Sequence, residues 1–594
     1  MKKLEEIQKG KLVSSYGGVG SIIETNTNGS LLILPYNEWP FYEPFHDRTK
    51  KKNNSLQEIT DDRLLIFIKH KKGYPQLNRL VEMPESDSNV SKYYPTENGA
   101  KKSVLAKYFP TWFYCEHCHK LKMIDEWKEE WKKACDEGKF PNNSNFSDNE
   151  PACAYCSKKR GTRVSRQYLQ QVRFVMASLD SGEVDDIPFD KLFKGTREGN
   201  VWKYNDDYAT DLRYMNNSGN ADGLESVYIT TGDKTIFMSQ INRCYLVEEG
   251  GDTAFKLAVR GSQSLYFPEI VRSIFIPCGN TPSDKVEMKI PSDEAEMDLQ
   301  EFRYLIDDNN YTEGINVQND DLIVFRKPEL SSHLKYITRI CAIQRLKETS
   351  ALVGYSRFGK STEVREWYDC EKKRVVTDKN PALKKPFSCE SHEITYMPAV
   401  VSYGEGLFFE LNLEKINSEN RKVFAHTLSH VIMKEVEFQC GYPLTSLKEK
   451  VYIDTDTDNA GILIYTVAGS EGSYGGLVSL ADNGEIIKLI EIACERAQNC
   501  PNDPICLNSD KHHCYACLDL PETSCCEFNN DLDRKLFLEI INSTSSKSHP
   551  SQDAPESSSK SNDISDSKEE DDNSPKEDAS NSGYIDDIPD GQEL

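Results

Sequence analysis

A chain of 594 residues, 38% hydrophobic and 28% charged, is long enough for roughly two to four domains and several buried cores. Its mean hydropathy of -0.63, with no apolar run near the roughly 18 residues of a membrane span, excludes a helical membrane protein. A net charge of -24 excludes a simple nucleic-acid coat protein.

Of the 18 cysteines, six fall in three CxxC pairs, a usage that fits metal sites in a reducing compartment better than secreted disulfides. The opening MKKLEEIQKGK has no apolar signal region. The expected location is therefore the cytoplasm, with no membrane association.

Taken in order, residues 1–110 read as a β-rich region: short apolar runs such as GSII and SLLILP are punctuated by Gly, Asn and Pro. The glycines Gly17, Gly18 and Gly20 predict a turn with positive φ, because GGVG has no following lysine or helix to make it a phosphate loop. Residues 111–165 then carry two CxxC knuckles, Cys115 with Cys118 and Cys153 with Cys156. Two such knuckles separated by an insert predict a zinc ribbon, each knuckle giving two thiolates to one ion. The insert, 123–138, predicts a helix with Trp127 and Trp131 four residues apart on one face, and Cys135 on it is read as packing.

Directly after the second knuckle come Lys158, Lys159, Arg160, Arg163 and Arg166. Mobile cations on a rigid support can contact a phosphate backbone without reading sequence, although such a run is also the ordinary composition of a solvated face. Residues 166–395 read as a central α+β region. Within it GYSRFGKS, from Gly354 through Lys360 and Ser361, fits the P-loop pattern GxxxxGK[ST]. The apolar segment before it is short and no partner strand ending in Asp-Glu follows, so the match is read as coincidence, with an ATPase kept as the alternative.

Residues 396–543 form the last expected domain: strands in MPAVVSYGEGLFFELN, a helix through FAHTLSHVIMKEVEFQ stopped by Gly441 and Pro443, two more strands, and a helix near 485–497. His426 and His430 share a helix face at i, i+4, the spacing of HExxH metalloenzymes. Thr427 stands where the glutamate would be, so a hydrolase is the alternative and histidines lining a domain interface are the expectation. The domain is closed by Cys500, Cys506, Cys514, Cys517 and Cys525 in a proline-interrupted stretch. The expected second zinc site is Cys506, Cys514, Cys517 and Cys525, with Cys500 as the substitute ligand, making two structural zinc ions in all. Residues 544–594 hold four lysines against 14 acidic residues and few aromatics. That composition predicts a disordered acidic tail, read as solubilising rather than as a competitor with DNA.

The runs CPNDPIC and CYACLDLPETSCCEFNNDLDR, preceded in order by HTLSH, CGYPLTSLKEKVY, GILIYT and GGLVSL, resemble the C-terminal domain of the DrmB family. That family is the helicase-associated component of bacterial DISARM anti-phage systems, and its end domain also occurs on MrfA-type DNA helicases. The SYG opening, RGSQSLYFP and RLKETSALVGYSRF resemble family segments too, so the likeness covers most of residues 12–540. It is dense over the last 140 of these and diffuse between about 190 and 330. One departure is the missing histidine after the strand in VRFVMASLDSGEVDD, whose role is not carried over.

The resemblance implies a helicase-associated C-terminal domain, a DrmA-like helicase partner, and DNA bound through the complex. With the residue-level reading it gives an α+β, multi-domain chain with a zinc ribbon insertion and a zinc-closed C-terminal α/β domain. The expected role is non-catalytic.

Overall fold

The computed structural model describes residues 17–542 apart from 26–28, 40–41, 43–55, 84–103, 142–143, 148–149, 217–222, 278–289, 332–334, 467–474, 522–523 and 526. The chain divides into two units, Met1–Ile541 and Asn542–Leu594. The tail expected to be disordered, 544–594, lies outside the described residues.

Two strands of unusual length organise the first unit, Ile337–Ser356 and Tyr396–Asn412. They pair antiparallel from Ile337 opposite Leu411 to Ser350 opposite Val400, with the register shifting between Ile343 and Leu346. Each far exceeds the usual five or six residues, so their other neighbours cover only part of them. Leu322–Arg326 takes the first half of Ile337–Ser356 and Phe267–Ile274 the second. Beyond Tyr396–Asn412 lie Asn459–Thr466 and then Leu447–Ile453, while Arg79–Glu82 runs parallel to Tyr396–Ala399. The result is one nine-stranded sheet that crosses the division expected at residue 396.

Alternation along these strands loads both faces, as a period of two requires. Leu407, Phe409 and Leu411, with Ile462 and Ile464, face a core shared with the helices Ser418–Cys440 and Glu485–Ala497. Phe408, Leu463 and Tyr465 face the opposite core with Phe302 of the helix Glu294–Ile306. A further buried cluster joins Val19, Tyr36, Trp39 and Phe67 to Leu352, Val353 and Tyr396. The first stretch of chain is thus built onto the sheet made by the later ones. Gly20 shows the fit: its φ is +84°, and a Cβ there would lie 2.3 Å from the ring of Tyr355.

Residues 174–259 supply a six-stranded sheet and a three-stranded one. Both pack around Trp112, Phe174, Trp202 and Leu246. Helices and sheets are mixed along the chain, in line with the expected α+β class.

The 23-residue helix Ser418–Cys440 positions the later site. It ends at Gly441, whose φ of +69° is the left-handed cap that glycine supplies without strain. Every residue from Phe424 to Met433 is buried, so this is a core helix rather than an amphipathic surface one. Its polar residues must find partners inside the protein.

Candidate metal centres

The first cysteine cluster is built on two hairpins. Strands Trp112–Tyr114 and Leu121–Met123 pair antiparallel, and the turn between them holds Cys115 and Cys118. Cys115 N–H donates to Lys120 O at 3.1 Å and His119 N–H to Cys115 O at 2.8 Å, with His119 at φ +60°. The second knuckle is closed alike by Cys153 N–H on Gln167 O at 2.8 Å and Ser157 N–H on Cys153 O at 3.1 Å. One ligand atom from each of Cys115, Cys118, Cys153 and Cys156 lies within 4.8 Å of the other three. Among these sulfurs, hydrogen bonding between Cys115 and Cys153 pulls the Cys115 thiol down to about 4 and pushes Cys153 up. A dication, by accepting all four as thiolates, removes that competition for protons.

The insert is a helix, Ile124–Asp136, with Trp127 and Trp131 buried. Their indole N–H groups donate to Phe113 O at 3.0 Å and Ser144 O at 2.7 Å, so the helix is clamped to the first knuckle and to its own return. Cys135 Sγ donates to Ser144 O at 3.4 Å and stands outside the cluster.

From the second knuckle a two-stranded hairpin projects, Lys158–Arg160 paired with Arg163–Ser165. Gly161, at φ +62°, opens its two-residue turn as a tight hairpin demands. Lys158, Lys159, Arg160 and Arg163 are all exposed, and Arg160 lies directly opposite Arg163. Arg166 does not share that exposure. Its guanidinium sits 4.9 Å from the Trp131 ring centre and donates to Asn145 O at 2.6 Å, which makes it a brace for the insert.

The second cysteine cluster differs from the expected set. Cys500, Cys506, Cys514 and Cys517 converge, with Sγ separations of 3.5 Å for Cys500–Cys514, 3.6 Å for Cys506–Cys517 and 3.9 Å for Cys514–Cys517. A tetrahedron of Zn–S bonds of about 2.3 Å has edges of about 3.8 Å, so the spacing suits zinc. Backbone N–H groups of Asn502 and Cys514 donate to Cys500 and Cys517 sulfurs at 3.4 and 3.3 Å. The fully buried Arg534 ties the loop down, bonding Asp503 and Ala497 O. Cys500 therefore takes the place assigned to Cys525. The proline-rich turn 500–506 folds its first cysteine back onto the knuckle, while Cys525 is not among these four.

Cys525 instead joins the two histidines. His426, His430, Glu449 and Cys525 form a third cluster, 0–3% exposed. The histidines do not line an interface open to a partner: His426 Nε2 lies 2.9 Å and His430 Nε2 3.0 Å from the same oxygen, Glu449 Oε1. Sequence reading missed Glu449, which is on a strand 19 residues beyond His430 and belongs to no local motif.

The GYSRFGKS segment does not build a phosphate cradle. Gly354 to Ser356 are the end of the long strand, and the next element is another strand, Arg365–Asp369. No helix N-terminus follows Lys360 and Ser361 to receive a phosphate. Lys360 Nζ lies 3.9 Å from the ring centre of Phe528.

Comparison with known proteins adds four findings. Residues 8–267 match a domain of unknown function, DUF8724, and residues 428–518 match the MrfA Zn-binding domain. The DISARM protein DrmB of Bacillus paralicheniformis is 30% identical over 251 residues, 35% of this chain and 42% of that protein's length. The solved DUF1998 helicase MrfA bound to DNA aligns with 55% of this chain and 30% of its own, at a TM-score of 0.22 and 7% identity, too slight a likeness to argue from. By sequence, the chain is a relative of the DISARM protein DrmB and carries a segment matching the MrfA Zn-binding domain.

Proposed function

We propose that this protein is a non-catalytic, zinc-braced partner of a DrmA-like DNA helicase in a DISARM-type anti-phage defence complex, acting in the cytoplasm on invading DNA. The similarity to DrmB supports the defence role. Two zinc ions, one on Cys115, Cys118, Cys153 and Cys156 and one on Cys500, Cys506, Cys514 and Cys517, hold the two loops rigid.

The observation that carries the DNA contact is the hairpin after the first zinc knuckle. Two arginines directly opposite each other on neighbouring strands repel, and Arg160 and Arg163 hold that position while exposed. A phosphate bound between them offsets the repulsion, and Lys158 and Lys159 add to the same tip. Such contacts are independent of sequence, as a complex that meets varied phage DNA requires.

Charge reversal at Lys159, Arg160 and Arg163 tests this in the complex purified after co-expression with a DrmA-like helicase. Each phosphate contact removed lowers the slope of log affinity against log salt by about 0.9, read by fluorescence anisotropy across salt concentrations. If the complex forms and both its affinity and slope are unchanged, the helicase supplies the DNA contacts and this chain is a scaffold.

A further inference from the structure

The third cluster lies beneath the second cysteine loop and shares no ligand with it. We propose that His426, His430, Glu449 and Cys525 form a closed binding site for a third divalent ion of the zinc class. Its four donor atoms come from three separate pieces of chain. The helix Ser418–Cys440 gives both histidines, the strand Leu447–Ile453 gives Glu449, and the loop after Leu520 gives Cys525.

The hydrogen bonds around the rings fix where their protons are. His426 Nδ1 faces Asp531 O at 3.2 Å and His430 Nδ1 faces Leu518 O at 2.9 Å. A carbonyl oxygen only accepts, so each Nδ1 carries a hydrogen. In a neutral ring that leaves Nε2 as a bare lone pair, and both Nε2 atoms point at Glu449 Oε1, with His426 Nε2 also 3.3 Å from Cys525 Sγ. Two lone pairs facing one carboxylate oxygen repel. A single proton answers only one of the two contacts; both are answered by protonating both rings or by a cation among them.

Protonating both rings places two imidazolium charges against one carboxylate and a thiol where no residue is more than 3% exposed. With Cys525 as the thiol, one positive charge is left without a counter-ion within the cluster, and burying an unpaired charge is costly. A dication bound by two neutral imidazoles, one carboxylate and one thiolate has a net charge of zero.

The surroundings fit the second choice. An Nδ1–H held by a backbone carbonyl is the usual outer partner of a metal-bound histidine. Ser429 Oγ occupies the other carboxylate oxygen, Glu449 Oε2, leaving Oε1 for the ion. Asn529 N–H donates to Cys525 Sγ at 3.4 Å, a bond that favours thiolate. Glu449 N–H also bonds Ser524 O at 3.2 Å, so strand and loop are aligned beside the site. Four protein ligands with no exposed position make it a structural site rather than a hydrolytic one. Its ion ties helix, strand and closing loop together.

Metal analysis of the full-length protein against its amino-acid content is expected to give three equivalents. Glu449→Gln, which keeps the shape but removes the charge, and Cys525→Ser should each return two. X-ray absorption of the unaltered zinc-loaded protein covers the case in which a variant does not fold. With the third site, about a quarter of first-shell scatterers are nitrogen or oxygen near 2.0–2.2 Å and the rest sulfur near 2.3 Å. Two equivalents with a shell of sulfur alone would overturn the third site and leave both four-cysteine sites standing.

Discussion

Glu348 is 1% exposed in the middle of the long strand Ile337–Ser356. Lys448 Nζ lies 2.7 and 3.0 Å from its two oxygens, and Tyr465 OH donates at 3.3 Å. Burial by itself would raise the carboxyl, but Lys448 and then Arg272 outweigh it and hold it below its ordinary value. The folded group thus releases its proton more readily than the unfolded one. Its contribution to stability is present above about pH 4.3 and is lost as pH falls through the folded value. Lys448→Met removes the chief partner and should cost ~2–3 kcal/mol at pH 7, below the range for a fully buried pair because Lys448 is partly exposed. In that variant burial dominates, so the deficit should shrink between pH 7 and pH 5. Urea unfolding at the two pH values measures both effects, and an undiminished deficit at pH 5 would contradict this account of Glu348.

Among the described glycines, Gly404 in the strand Tyr396–Asn412 leaves the least room for a side chain. A Cβ on Gly404 would lie 1.7 Å from Thr466 O, a distance only main-chain movement can relieve. Gly404 follows the register shift opposite Ile343 and Leu346, so the bulge and the missing side chain together let the neighbouring strand close. Gly404→Ala is expected to cost about 3 kcal/mol or more through overpacking. Gly161→Ala in the basic hairpin offers the contrast, because nothing lies within 4 Å of its Cβ position and only its φ of +62° opposes substitution, at a cost of about 1 kcal/mol. Thermal melts of the two variants should separate them clearly; equal losses would mean that the close approach to Thr466 is not the constraint at Gly404.

At the scale of the whole molecule, buried charges join stretches far apart in sequence. Arg63 Nη2 bonds Glu301 at 2.6 Å, and Lys450 Nζ bonds Glu301 at 2.7 Å and Asp298 at 2.6 Å. A helix at 62–71, another at 294–306 and a strand at 447–453 thus share one ion network. The last expected domain shares this network and the nine-stranded sheet with what precedes it. Residues 396–542 expressed alone would lose the strand Ile337–Ser356 and bare a long apolar edge, an aggregation template. Residues 267–542 keep that strand and its partner Phe267–Ile274. Size-exclusion chromatography is expected to show the shorter piece aggregated and the longer one recovered in greater amount; a monodisperse shorter piece would restore the boundary at 396.

Short-range chemistry was legible in the sequence. A CxxC pair turns two sulfurs one way because only two residues separate them, the Trp127 and Trp131 spacing marks a helical face, and Gly441 stops a helix wherever it packs. The tertiary structure alone decided what long-range closure controls. It exchanged Cys500 for Cys525, because the choice depends on how the turn at 500–506 folds back rather than on distance along the chain. It drew Glu449 to His426 and His430 from a strand with no motif of its own. It joined pieces of three expected regions in one sheet because the 17-residue strand Tyr396–Asn412 has room for Arg79–Glu82 as well as Ile337–Ser356 and Asn459–Thr466, and pairing leaves no local mark.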